Sequence, residues 1–314
     1  MTRTGLMTLP QHHIGVDVSK NWIDTFTASS QQFTRIANQG LSLAEWAAGL
    51  GDVTVIFEAT SRYDHDLRAR LDEVGIPYVR MNPLRAGQFA RAAGFLAKTG
   101  RLDARILCMM GEALRPEPTM PMQPVRQRLY DLQARREDIV AMIIAEQGRL
   151  STANDTFICR DLKASIRSLT RRRDALQKQI DAPVETNRQL AAQYRQLQSA
   201  PGVGPQVACR LMASMPELGH VDRRQIASLA GLAPHARESG LYKGKRTIHG
   251  GRSHVRRAMY MAALVAVRWD HHWKTVYLHM REGGKAAKTA IIAVARRLLV
   301  RINAMVRNGL SYQA

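Results

Sequence analysis

The sequence is short of cysteine, of acidic residues and of long apolar runs, and each shortage closes off a class of protein. Cys108, Cys159 and Cys209 stand far apart among 314 residues, with no CxxC and no paired histidine. Neither a zinc site nor a disulfide framework is expected, and a reducing cytoplasm fits best. The longest apolar stretches, such as MAALVAV at 261–267, are too short to span a bilayer, and MTRTGLMTLPQHH lacks the apolar core of a signal peptide. The expectation is a soluble, intracellular protein. Only 26 Asp and Glu stand against 46 Lys and Arg, a formal charge of +20. A field of that sign concentrates polyanions, so nucleic acid is the expected partner, ahead of an anionic membrane surface or a merely basic soluble protein.

The pattern along the chain predicts three regions: 1–115, 116–196 and 197–314. In the first, HIGVDVSKNWIDTFTAS reads as two strands around a turn at Ser19–Asn21, and QQFTRIAN as a third. SLAEWAAGL is a short helix and VTVIFEA a buried strand; helix, strand, helix and a helix over Leu102–Leu114 follow. A meander followed by alternating strands and helices implies a mixed sheet covered by helices. Pro116, Pro118, Pro121 and Pro124 mark the boundary. Beyond it, Val125, Leu129, Leu132, Arg136, Ile139 and Ile143, then Leu162, Ile166, Leu169, Arg173, Leu176 and Ile180, recur at the spacing of a helical hairpin or coiled-coil pairing arm. The third region begins with SAPGVGP ahead of a helix, the arrangement of a helix-hairpin-helix turn that holds a phosphate by backbone N–H groups. A basic glycine-rich loop, ESGLYKGKRTIHGGRSH, leads into the closing helices.

Two carboxylates stand out. Asp17 lies near the end of the first strand and Glu58 ends the run VTVIFEA, positions where a hydrophobic strand has little structural use for an acid. If those strands are neighbours the two acids lie side by side and repel unless a cation or proton sits between them. Asp103, in LAKTGRLDA, could supply a third oxygen ligand for Mg²⁺ or Mn²⁺, a set suited to phosphodiester chemistry. The plain alternative for each is a surface or capping carboxylate.

GVDVSK, FEATSRYD, LAKTGRLDA, SAPGVGP, LAGLAPHARESG and IHGGRSHVRRAMYMAAL occur in that order. In this the chain resembles, over nearly its whole length, the DEDD or Piv-like group of bacterial insertion-sequence transposases. The resemblance implies a ribonuclease-H-like (RuvC-like) α/β domain, a helical coiled-coil arm and an all-α transposase domain. It also implies a site-specific recombinase that excises and inserts its own mobile element, cytoplasmic and associated with the nucleoid. Asp17, Glu58 and Asp103 would hold the divalent metal. The family pattern KTDxxDA reads KTGRLDA here, so Gly100 stands where a fourth carboxylate is expected. Three carboxylates with water, substitution by Asp64 or Asp66, and a catalytically weakened copy are all open. The serine nucleophile of the family corresponds to Ser239 in ARESGLYKG, with Ser253 better explained as a helix cap. The metal domain of one subunit would meet the serine of another in a homo-oligomer. Lys243, Lys245, Arg246, Arg252, Arg256 and Arg257, with Lys98 and Arg101 beside Asp103, would neutralise phosphates. A noncoding RNA that pairs with target and donor DNA is a further implied partner. The rivals are a metal-dependent junction nuclease and a noncatalytic nucleic-acid-binding protein.

Overall fold

The alternation around Ser19–Asn21 forms the hairpin it predicts, β1 (His12–Val18) and β2 (Trp22–Thr27), closed by a Ser19 N–H donating to the Trp22 carbonyl at 3.0 Å. These coordinates are a computed structural model that describes residues 12–313 other than 60, 61, 96–98, 237, 240, 241 and 245, so Lys98 and Lys245 lie outside the described residues. The chain divides into two compact units, Met1–Pro121 and Met122–Ala314.

In the first unit β3 (Gln32–Ala37) extends the meander, and α1 (Gly40–Ala48) leads to β4 (Val53–Glu58). A short 3-10 turn and α2 (His65–Val74) cross to β5 (Tyr78–Met81), followed by α3 (Pro83–Ala92) and α4 (Gly100–Leu114). The sheet order is β3-β2-β1-β4-β5, with β1, β4 and β5 parallel and the meander antiparallel, so the expected mixed sheet is present.

Strand period two sorts the side chains onto two faces. Ile14, Val16, Val55, Phe57 and Tyr78 pack with Leu43, Leu67 and Leu71 on one face. On the other, Ile56 and Val79 pack with Leu107 and Met110, and Phe26 with Ala104 and Cys108, so α4 covers this second face. Gly15 makes that approach possible: a Cβ there would lie 1.9 Å from the Ala104 carbonyl oxygen and 2.4 Å from the Cys108 nitrogen. Gly111 meets His13 and Gly100 meets Asp17, so α4 runs antiparallel to β1 and delivers its N-terminus to the end of the strand where Asp17 stands.

The second unit is helical. α5 (Pro124–Thr152) and α6 (Thr156–Thr186) form an antiparallel hairpin in which Ile139, Ile143 and Leu169 bury one another, so this part of the apolar seam is used within the chain. At the other end of the hairpin Leu129 and Ile180 belong to a core shared with α7 (Arg188–Gln198), α8 (Pro205–Ser214), α9 (Arg223–Leu229), α10 (Ser253–Trp269), α11 (His271–Glu282) and α12 (Ala287–Asn308). Gly202, in the turn before α8, has φ of 76° and no room for a Cβ, which would lie 2.0 Å from the Ala262 carbonyl oxygen. The lack of a side chain at this position serves close packing on α10. Among the described residues no helix is long and apolar enough to cross a membrane.

The stretch read from sequence as a glycine-rich loop contains two short ladders. β6 (Pro234–His235) pairs with β9 (Thr247–Ile248), and β7 (Glu238–Ser239) pairs with β8 (Tyr242–Lys243). Isolated two-residue ladders leave almost no hydropathy signal, and turn residues dominate the composition around them.

Candidate active site

The site is built from one row of residues across the sheet. Directly opposed residues on adjacent strands project to the same face. Asp17 is opposite Asp24 on β2, and Asp24 is opposite Arg35 on β3. Glu58 lies one residue beyond the Val16 and Phe57 pair that joins β1 to β4, and it is opposite Met81 on β5. The row therefore reads Arg35, Asp24, Asp17, Glu58, Met81, on the face that α4 covers. The adjacency of Asp17 and Glu58 expected from the sequence is what the parallel register produces.

Gly100, the first residue of α4, sits over this row. A Cβ at position 100 would lie 2.6 Å from Asp24 Oδ2 and 2.9 Å from Asp17 Oδ2. The two oxygens thus approach one common point beside the helix N-terminus, where the partial positive charge of the unsatisfied N–H groups favours carboxylates. Thr99 is the cap, its hydroxyl oxygen accepting from the Leu102 N–H at 3.3 Å, so Asp103 is not the capping residue. Asp103 stands a little further along the same helix, half-buried.

Asp24 was not singled out by sequence reasoning. Its side chain is 7% exposed, and both its oxygens accept from Arg35, from Nε and from a terminal guanidinium nitrogen at 2.8 Å each. The Arg35 pKa is raised, first by this hydrogen bond and also by the charges of Asp24 and Asp17. The acids proposed from sequence as substitutes for residue 100 are engaged elsewhere. Asp64 is buried between Arg80 and Arg68, and Asp66 is exposed on α2 beside His65.

The donor set is all carboxylate oxygen, which suits a hard divalent cation, and Mg²⁺ is commonly held by one or two carboxylates with water filling its remaining positions. Among the described residues no three His, Cys, Asp or Glu side chains group closely enough to hold an ion as they stand. What converges is the pair of oxygens from Asp17 and Asp24, in a cradle that a Cβ at residue 100 would fill. Donor chemistry and cradle together fit a divalent ion.

In the second unit Ser239 occupies the last paired position of β7, opposite Tyr242, so two residues join the strands at that end. Ser253 is the first residue of α10, with Arg252 in the cap position, which corrects its expected role as the cap. The basic residues expected at phosphates divide. Arg101, Arg246 and Arg257 are exposed, and Lys243 lies on β8 opposite Glu238. Arg252 instead grips Glu217 through two hydrogen bonds of 2.6 Å, and Arg256 donates to the Gly250 and Gly231 carbonyls at 2.8 and 3.2 Å. Both tie down the two ends of the segment that carries the ladders.

Burial alone would raise the Glu217 carboxyl pKa; the Arg252 hydrogen bonds and charge outweigh this and leave it lowered. Removing one member of such a pair leaves the other poorly solvated. Arg252→Ala is expected to lower stability by about 2–3 kcal/mol at neutral pH, measured by urea unfolding. Because the Glu217 pKa is depressed in the fold, its contribution is complete above the ordinary carboxylate range and is lost as pH falls through the lowered value. The gap between wild type and variant should therefore narrow from pH 7 toward pH 3.

Residues 14–157 match the family profile described as a DEDD transposase, and residues 194–278 match "Transposase IS116/IS110/IS902 family". The chain is similar to the pilin gene-inverting protein of Moraxella bovis, 26% identical over 95% of this chain and 96% of the relative. Its counterpart in Moraxella lacunata is also 26% identical, with the same coverage. An uncharacterized 43.6 kDa protein of insertion element IS110 from Streptomyces coelicolor is 31% identical over 49% of this chain and 37% of the relative. With the carboxylate-bearing sheet inside one match and the ladder segment inside the other, the chain belongs to the IS110 family of transposases and is a DNA transposase.

Proposed function

We propose that this transposase cuts and exchanges DNA strands at the ends of its own mobile element, with Asp17, Glu58 and Asp103 as ligands of a divalent metal and Ser239 as nucleophile. The observation that carries the reading is the row Asp24, Asp17, Glu58 across three adjacent strands beneath the N-terminus of α4. Acids stacked laterally on a hydrophobic sheet cost stability unless they serve a cation. A bound Mg²⁺ or Mn²⁺ would supply Lewis-acid polarisation of the phosphoryl oxygens. Asp17, Glu58 and Asp103 would hold it, and α4 keeps one side of the row covered. Ser239 Oγ attacks phosphorus, forming an O–P bond as the bond to the departing deoxyribose oxygen breaks and leaving a phosphoserine that the incoming strand resolves.

Arg101, Arg246 and Arg257, with Lys98, Lys243 and Lys245, are assigned to phosphates. The charge of +20 supports simultaneous engagement of DNA and a noncoding guide RNA, in which base pairing would supply sequence and the protein would read backbone. Exposed Ile144, Phe157 and Ile158 on the α5/α6 hairpin support its use in pairing subunits.

Asp17→Asn tests the metal assignment. Strand cleavage with cognate DNA and RNA is expected to fall by about 100-fold or more, and Mn²⁺ affinity to fall with it. Cleavage at the wild-type rate by Asp17→Asn would remove the sheet carboxylates from the reaction.

A further inference from the structure

The carboxylate that residue 100 lacks has an occupant already in its place. We propose that Asp24 supplies it: Asp24 Oδ2 and Asp17 Oδ2 form a two-oxygen seat for the divalent ion, so that Asp24 is a fourth acidic member of the site. The inference rests on the reading of Asp17 and Glu58 as metal-binding residues.

Geometry is the first argument. The side chain of any residue at 100 would begin 2.6 Å from Asp24 Oδ2, closer than a carbon and an oxygen can stand without bonding. An aspartate at 100 and Asp24 in its present position are therefore mutually exclusive. Gly100 itself brings no side chain into that space, and Asp24 approaches α4 from β2 while the helix keeps its place over β1.

Charge is the second. Asp24 is buried beside another carboxylate, and like charges so placed repel unless a cation offsets them. Arg35 offsets part of this through its hydrogen bonds to both Asp24 oxygens, while the Arg35 side chain itself is 56% exposed. A carboxylate oxygen has two lone pairs, so Oδ2 can accept from Arg35 and still face a metal. Register is the third: hairpin pairing places Asp24 against Asp17 through main-chain hydrogen bonds that do not depend on either side chain.

Mn²⁺ binding to the full-length chain, followed by the loss of the free-ion electron paramagnetic resonance signal, tests the inference without reference to strand exchange. Asp24→Asn is expected to weaken Mn²⁺ binding about 10- to 100-fold. Arg35→Gln breaks the same ion pair but leaves the carboxylate, and should bind Mn²⁺ as tightly as wild type or more tightly. Gly100→Asp alone should gain no affinity, because its side chain meets Asp24. Asp24→Ser combined with Gly100→Asp moves the carboxylate from strand to helix and should recover most of the affinity lost in Asp24→Asn.

Equal losses in Asp24→Asn and Arg35→Gln would overturn the inference, making Asp24 only the partner of Arg35. Wild-type binding by Asp24→Asn alongside lost binding by Asp17→Asn would also overturn it, while leaving the metal assignment intact. Wild-type binding by Asp17→Asn as well would remove the metal reading on which the inference depends. Failure of the relocated double variant to bind, with its circular dichroism spectrum unchanged, would count against Asp24 in the same way.

Discussion

Ser239→Ala is expected to remove strand exchange almost completely, by on the order of 10⁴-fold or more, and to leave no covalent protein–DNA adduct on a denaturing gel. The size of the effect follows from chemistry that no neighbouring group can replace. In the proposed reaction the serine oxygen is the atom to which phosphorus is transferred, so its loss removes the step rather than slowing it, unless water enters instead. The position suits the role. Ser239 stands at the end of a short two-tiered ladder, and the base of that ladder is clamped: Arg252 by Glu217 on one side, Arg256 by the Gly231 and Gly250 carbonyls on the other. Mn²⁺ binding should be unchanged in Ser239→Ala, since the carboxylates belong to a different part of the chain. Ser253→Ala, at the exposed first position of α10, should exchange strands at near the wild-type rate. Full-rate cutting by Ser239→Ala would favour the junction-nuclease alternative, in which the carboxylates activate water.

Much of the first unit was legible because its signals are local. Period-two alternation in HIGVDV and VTVIFE located two strands, the turn at Ser19–Asn21 joined the hairpin, and two strand-end acids marked one edge of the sheet. Asp24 was missed although the same turn places it opposite Asp17, because in WIDTFT it looks like the polar half of an alternating strand. Its meaning depends on Arg35, a strand away, and on α4 passing close overhead. Gly100 read as a deficit for the same reason: a sequence pattern shows the missing side chain but not the oxygen that fills its space. In the second unit, the SAPGVGP turn carried a phosphate-binding signature, whereas the need of Gly202 to pack against Ala262, 60 residues away in sequence, is encoded by no local pattern. The pairing of Arg252 with Glu217, 35 residues away, was likewise invisible in the sequence, where Arg252 reads only as one of several basic residues for phosphates.

The largest effect on stability is expected at Gly15. In Gly15→Ala the new methyl group would lie 1.9 Å from the Ala104 carbonyl oxygen, 2.4 Å from the Cys108 nitrogen and 3.0 Å from the Ala104 carbonyl carbon. All three are backbone atoms inside α4, so no side-chain rotation relieves the contact and the helix must lift off β1 by more than an ångström. Overpacking usually costs about 1–3 kcal/mol where side chains can adjust; here about 3 kcal/mol or more is expected, read as a lower urea midpoint by circular dichroism. Gly87, within α3, has nothing within 4 Å of its would-be Cβ, and Gly87→Ala should stabilise by about 0.5–1 kcal/mol through helix propensity alone. The contrast separates a general effect of replacing glycine from the specific approach of α4 to the sheet. Displacing α4 also draws Gly100 away from Asp17 and Asp24, so Gly15→Ala should lose Mn²⁺ affinity at urea concentrations where it is still folded. A variant that unfolds at the wild-type midpoint would mean that α4 does not lie against β1 at this distance, and the seat formed by Asp17, Asp24 and Gly100 would fall with it.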